Sequence, residues 1–322
     1  MVHQAVQITL VALTTIMLLL TLLFNYFSTS EVGYRLGLFS INSATPWTQR
    51  ANLTKSNLTP PGWAFTIWAV IYVYQAVMLA YCWSLLFIKN AAGEPLCCVP
   101  GLLPVGFLIC HMISSGFNIA WIFVTDKVEY NKYNLIPQTI MLFLLAISLW
   151  ACLIFSFNRL SVHKIELRQQ GLRLHYWLVI GLLQNSCGFY VGWTCIASFL
   201  NLDIAIVNIT GYTAATSSLL ALCQFCGLLG AYITADFSFL DPFLRFFIAP
   251  YLTLIWALAT SVAGNYAAGS VTSDLTVELT AALIAALIVK VVLAIVRQKR
   301  DPLPDSTSCS RIMDSKEAAT PN

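Results

Sequence analysis

The sequence predicts an all-α polytopic membrane bundle of about eight transmembrane helices, and three observations predict it. Of the 322 residues, 58% are hydrophobic and only 10% are charged, where a soluble domain carries roughly 25% charged residues. The apolar residues fall in eight runs long enough to cross hydrocarbon. A helix needs about 20 such residues to do so, because every backbone group in lipid must be paired within the chain. The polar and aromatic residues inside those runs recur at helical spacing. The net charge of +3 is too small to suggest a nucleic-acid partner, so the expected surroundings are the lipid bilayer.

The runs cover approximately Ala5–Phe27, Trp63–Ile88, Leu102–Val124, Leu135–Phe157, Tyr176–Leu200, Tyr212–Thr234, Phe243–Ala263 and Leu275–Val296. The first has no Lys or Arg ahead of it and is too long for the apolar core of a signal peptide, so it reads as a helix. Lys89, Arg159, Lys164, Arg168, Arg173, Arg245, Arg297, Lys299 and Arg300 fall at one end of the bundle. Arg35, Arg50, Lys55, Lys127 and Lys132 fall at the other. That bias places both termini in the cytoplasm. The sequons at Asn52, Asn57 and Asn208 all fall on the opposite side. Asn57 and Asn208 lie close to the membrane, and a proline follows Thr59, so Asn52 is the candidate glycosylation site. A glycosylated chain belongs to the plasma or an endomembrane rather than to the mitochondrial outer membrane.

The connection from about Ser28 to Leu58 is the longest between spans. Tyr34, Phe39 and Trp47 make it less polar than a plain linker, and it reads either as a lid over the bundle mouth or as a flexible loop. The tail 299–322 is polar, with Pro302, Pro304 and a Ser/Thr cluster, and reads as disordered.

The second span is prefaced by Thr59, a candidate helix N-cap, and Pro60, which suits a first helical turn. Within it Phe65, Trp68, Tyr72 and Gln75 fall at i, i+3, i+7 and i+10 and share one face. The third span carries His111, Ser114, Ser115, Asn118 and Trp121 along one stripe. The fifth carries Ser186, Tyr190, Trp193, Ala197 and Asn201. Polar groups in a membrane helix turn away from lipid. Such stripes serve either as hydrogen-bonded glue between helices or as the wall of a pocket, and the spacing alone leaves both open.

Other polar residues give weaker signals. His111 has no second histidine or carboxylate to suggest a metal or haem site. Cys223 and Cys226 form a C-x-x-C pair inside an apolar run with no further ligands, so no metal site is assigned. Lys290 sits within the eighth span and is expected to snorkel toward the basic end near Arg297. Asp203, Asp236, Asp241, Asp274 and Glu278 all lie near span ends, which argues against a proton-driven transporter. Pro250 offers a helix break of the kind transporters use, but no matching repeat accompanies it. The small-residue pairs Gly188/Gly192 and Gly116/Ala120 allow close helix approach, either within the chain or in a homodimer. There are no paired carboxylates, nucleophile elbow or phosphate loop, so no catalytic residue is assigned.

Three segments resemble those of the translocator protein / tryptophan-rich sensory protein (TspO/MBR) family. Pro60-Pro61-x-Trp63-x-Phe65-x-x-Trp68-x-x-x-Tyr72 is similar to its second-helix signature. Asn118-x-x-Trp121 is similar to its third-helix motif, and Tyr190-x-x-Trp193 with Ala197 and Leu200-Asn201 to its fifth. The resemblance implies a five-helix membrane core over residues 1–202, to which 203–298 would add three helices. It also implies an apolar pocket for a tetrapyrrole, sterol-like or other hydrophobic ligand, in a sensing or trafficking role. Phe65, Trp68, Tyr72, Asn118, Trp121, Tyr190, Trp193, Ala197 and Asn201 are the candidate ligand-binding residues. A porphyrin or haem-like ligand is implied by the resemblance, while the residues themselves demand no cofactor. Light-dependent porphyrin breakdown by Trp68, Trp121 and Trp193 is the enzymatic alternative. Two departures mark a diverged, longer member: the second helix lacks the Gly-Pro that short members carry before its second Trp, and the cholesterol motif after the fifth helix is absent. Val128 to Lys132 fits that loose motif elsewhere.

Overall fold

The computed structural model describes residues 2–40, 56–128 and 131–300. Eight principal helices follow in order: α1 Val2–Thr29, α2 Ile67–Leu85, α3 Val105–Lys127, α4 Leu135–Gln169, α5 Arg173–Thr210, α6 Ala214–Phe237, α7 Ala249–Asn265 and α8 Val271–Arg300. All except α7 are long and apolar enough to cross a membrane. At 1.5 Å per residue, the 17 residues of α7 reach about 25 Å, less than a hydrocarbon layer of about 30 Å. Among the described residues there is no strand beyond one isolated bridge between Lys89 and Pro95. The expected all-α bundle is therefore the observed fold.

The packing order is set by α3, α4 and α5. Helix α3 lies against α1 and α4, and α5 against α2, α4, α6 and α7; α8 closes the far side on α6 and α7. Aliphatic side chains of α8 such as Ile284, Ile288, Val292 and Ile295 stay exposed, as expected of a helix with one side toward lipid. Helix α4 runs 35 residues, well past the predicted end at Phe157. No helix breaker follows until Gly171, so its basic last turns project beyond the apolar layer.

Helix α5 is not uniform. A short α-helix, Arg173–Leu178, passes into a π-helical segment, Val179–Gln184, and then into Asn185–Thr210. Gly211 ends it in the left-handed conformation (φ 80°) that glycine adopts without steric cost. Asn185 bridges two helices. Its Nδ2 donates to Ile180 O and Phe246 O, and its Oδ1 accepts from the backbone N–H of Ile248 and Ala249, satisfying otherwise orphaned donors at the start of α7. The partner of Gly188 and Gly192 is α7 of the same chain. A Cβ on Gly188 would lie 2.6 Å from the Phe247 ring, and one on Gly192 3.0 Å from Pro250 Cα.

Two sequence expectations are corrected. Thr59 does not cap α2: a 3₁₀ turn at Gly62–Thr66 precedes the helix and is led by Pro61. Thr59 instead offers its carbonyl to Asn265 Nδ2 on α7. The diproline resists an α turn, and Pro61 is wedged against Gly264. Lys290 does not snorkel. It is 4% exposed and pairs at 2.6 Å with the fully buried carboxylate of Asp236 on α6, while also donating to Leu244 O. Tyr251 Oη donates to the same carboxylate at 2.6 Å. Proximity of a buried counter-ion outweighs the reach to solvent. One turn beyond, Arg297 and Arg245 both bind Asp241. Partial burial alone would raise the Asp241 carboxyl, but these two guanidiniums hold it below its ordinary range.

Both described ends of the long first connection are docked. Phe39 is buried and stacks on Phe123 at 5.2 Å, and Ser40 donates through N and Oγ to Asp126 at 2.9 Å. At the other end Ser56 Oγ and Ser218 Oγ hydrogen-bond the buried Asp203 carboxylate, and Ser261 Oγ donates to Leu58 O. Trp47, Asn52 and the tail beyond Arg300 lie outside the described residues, as does part of the Val128–Lys132 motif.

Candidate functional site

The three stripes converge, but they do two different jobs. Toward the basic end of the bundle, Gln75 is fully used as glue. Its Oε1 meets His111 Nε2 at 2.7 Å, and its amide nitrogen Nε2 donates to Ser186 O and Oγ at 3.1 Å. All three residues are buried. His111 is thereby occupied as a hydrogen-bonded core residue.

One to two turns away, the same faces build an aromatic cluster with Trp68 at its hub. The Trp68 ring stacks on Tyr72 at 5.3 Å and on Trp121 at 6.5 Å. It meets Tyr190 at 5.8 Å and Trp193 at 6.3 Å edge-on, and Phe65 meets Trp193 edge-on at 5.7 Å. These separations lie in the range where ring pairs attract beyond simple burial. Each helix contributes for a local reason. Phe65 and Trp68 flank the passage from the 3₁₀ turn into α2, and Tyr72 follows one turn on. Asn118 and Trp121 are three apart on α3, and Tyr190 and Trp193 three apart on α5, which brings each pair to one side.

Four polar atoms of this cluster lack partners among the described residues. The Tyr72 and Tyr190 hydroxyls both approach the Asn118 amide. Yet Tyr72 Oη, Tyr190 Oη, Asn118 Nδ2 and Trp121 Nε1 are buried without a hydrogen bond of sound geometry. The Asn118 Oδ1 accepts from Asn25 Nδ2 of α1 at 3.0 Å. Asn25 was not among the sequence candidates; its signal is an amide near the end of an otherwise apolar span. Two candidates sit apart from the hub. Ala197 is half-buried on α5, and Asn201, eleven residues from Tyr190, is about 16 Å further along the helix. Asn201 Nδ2 donates to Ala197 O, and its Oδ1 is unpartnered. A separate narrow apolar cleft lies between α5, α6 and α7, lined by Ile196, Phe199, Leu222, Phe225 and Leu258 beneath Leu58.

The charge around the hub is as informative as the rings. Helices α1 and α2 contain no Lys, Arg, Asp or Glu. Helix α3 contains only Asp126 and Lys127 at its end, where they pair with each other. The cluster is therefore aromatic, carries neutral hydrogen-bond donors, and has no full charge beside it on α1, α2 or α3 apart from that pair.

These features define a polytopic helical membrane protein with an aromatic–amide cluster between α2, α3 and α5. The model of the TSPO-like protein family matches residues 7–296, and the chain belongs to that family. The match runs through α6, α7 and α8 as well as the first five helices. No curated protein and no solved structure matches the chain.

Proposed function

We propose that the protein binds a hydrophobic ligand, tetrapyrrole or sterol-like, at the Trp68 cluster, in a sensing or trafficking role. The observation that carries this reading is the set of four buried, unpartnered polar atoms around one ring system. A buried unsatisfied donor costs about 1–3 kcal/mol, and a bound acceptor oxygen would recover part of that cost. The rings are now in mutual contact, so a guest enters by parting them. The docked Phe39–Ser40 segment covers the same end of α1 and α3.

Titrating the purified full chain with protoporphyrin IX and, separately, with a sterol is expected to give saturable tryptophan quenching with at least one of them. Tyr190→Phe, which keeps the ring and removes the hydroxyl, should weaken that binding by up to about tenfold. Absence of saturable quenching by either ligand, or affinities unchanged in both Tyr190→Phe and Trp193→Ala, would overturn the reading.

The cellular placement proposed is the plasma or an endomembrane with both termini cytoplasmic, supported by the distribution of Lys and Arg. Glycosidase treatment is expected to increase electrophoretic mobility of the cell-derived protein, and Asn52→Gln to abolish that change. A wild-type mobility that does not respond to the enzyme counts against this placement.

A further inference from the structure

A second cleft, remote from the Trp68 cluster, opens between the last turns of α4, the first turns of α5 and the segment leading into α7. Its lining is mixed: Phe157, Leu160, Ile180 and Phe246 give an apolar wall, Lys164, Tyr176 and Arg245 stand at the basic end, and Ser161 and Gln184 add neutral polar groups. Phe157, Leu160 and Lys164 fall at i, i+3 and i+7 on α4 and so share one face. Lys164 is half-buried and makes no hydrogen bond or ion pair with the described residues. Arg245, by contrast, is held by Asp241. Lys164 lies 29 residues into α4, or about 43 Å from its start. That is past a hydrocarbon layer of about 30 Å, at the depth of the headgroups. The same end of the bundle carries Arg159, Arg168, Arg173, Arg297, Lys299 and Arg300.

We infer that this cleft is a binding site for an anionic glycerophospholipid. Its headgroup would meet the Lys164 ammonium beside Tyr176 and Arg245, and an acyl chain would lie along Phe157, Leu160 and Phe246. The argument is charge complementarity joined to shape. A half-buried ammonium without a counter-ion among the described residues stands at headgroup depth, with Leu160 and Phe157 on the same face of α4 below it. Basic pockets between membrane helices take anionic headgroups for this reason. A soluble anion would use the ammonium but leave the apolar wall uncovered.

The test is to reconstitute the full chain in mixed phosphatidylcholine–phosphatidylserine nanodiscs and count the lipids it retains by native mass spectrometry. The wild type is expected to enrich the serine lipid over the choline lipid. Lys164→Gln, which leaves the Arg245–Asp241 pair in place, should lower that enrichment about fivefold, and Lys164→Arg should preserve it. No enrichment in the wild type, or the same enrichment in Lys164→Gln, would overturn the inference. Displacement of the serine lipid by millimolar inorganic phosphate would overturn it equally, because the site would then belong to a soluble anion.

Discussion

Lys290→Met is expected to destabilise the protein by about 3–5 kcal/mol, the cost of leaving one member of a buried ion pair uncompensated. Asp236 is fully buried and Lys290 nearly so, so the Asp236 carboxylate has no route to water once the ammonium is gone. The Tyr251 hydroxyl alone would then share its charge. The double replacement Lys290→Met with Asp236→Leu should recover most of the loss, since apolar pairs often match buried ion pairs in stability. Unfolding of the purified full chain in mixed micelles with increasing dodecyl sulfate measures both. If the single variant lost less than about 1 kcal/mol, the pair would be a bystander rather than the fastening between α6 and α8.

Trp68→Ala is expected to cost about 3 kcal/mol, the lower end of the range for a core aromatic ring because Trp68 is half-buried, and to do so by a different mechanism. It removes the ring that touches Tyr72, Trp121, Tyr190 and Trp193 at once, leaving a cavity at the junction of three helices. Trp63→Ala provides the contrast. Trp63 is 54% exposed and meets Trp256 edge-on at 5.6 Å, so its loss should cost clearly less in the same unfolding assay. Equal losses would mean that the hub is no more tightly packed than the periphery.

The bundle is legible because lipid imposes long apolar runs: seven of the eight runs appear as helices long enough to cross a membrane, and the seventh run yields the shorter α7. The inward faces of α2, α3 and α5 were legible because Trp68, Trp121 and Trp193 keep helical spacing with polar neighbours. What spacing could not separate was glue from wall. Gln75 and Tyr72 lie on one stripe, yet Gln75 is saturated by His111 and Ser186 while the Tyr72 hydroxyl is left open. That difference depends on which atoms face them across the helix gap. Lys290 was misread for the same reason. Its nearest basic neighbours in sequence suggested snorkelling, whereas its counter-ion comes from a helix 54 residues away. The Asn185 bridge to α7 is likewise long-range, and Asn25 shows in the sequence only as an amide near the end of an apolar span, with nothing local to name Asn118 as its partner.

The π-helical segment at Val179–Gln184 sets the angular phase between the two halves of α5. Tyr176 and Tyr190 are 14 residues apart, so in an unbroken α-helix they would point within about 40° of each other. One extra residue absorbed in a wide turn sets the phase back by on the order of 100°, so the two rings end about 140° apart. Tyr176 accordingly stands beside Arg245 in the basic cleft, and Tyr190 stands against Trp68. A single helix thus turns one tyrosine to the Trp68 cluster and another to the basic cleft, and the wide turn at Val179–Gln184 sets the angle between them.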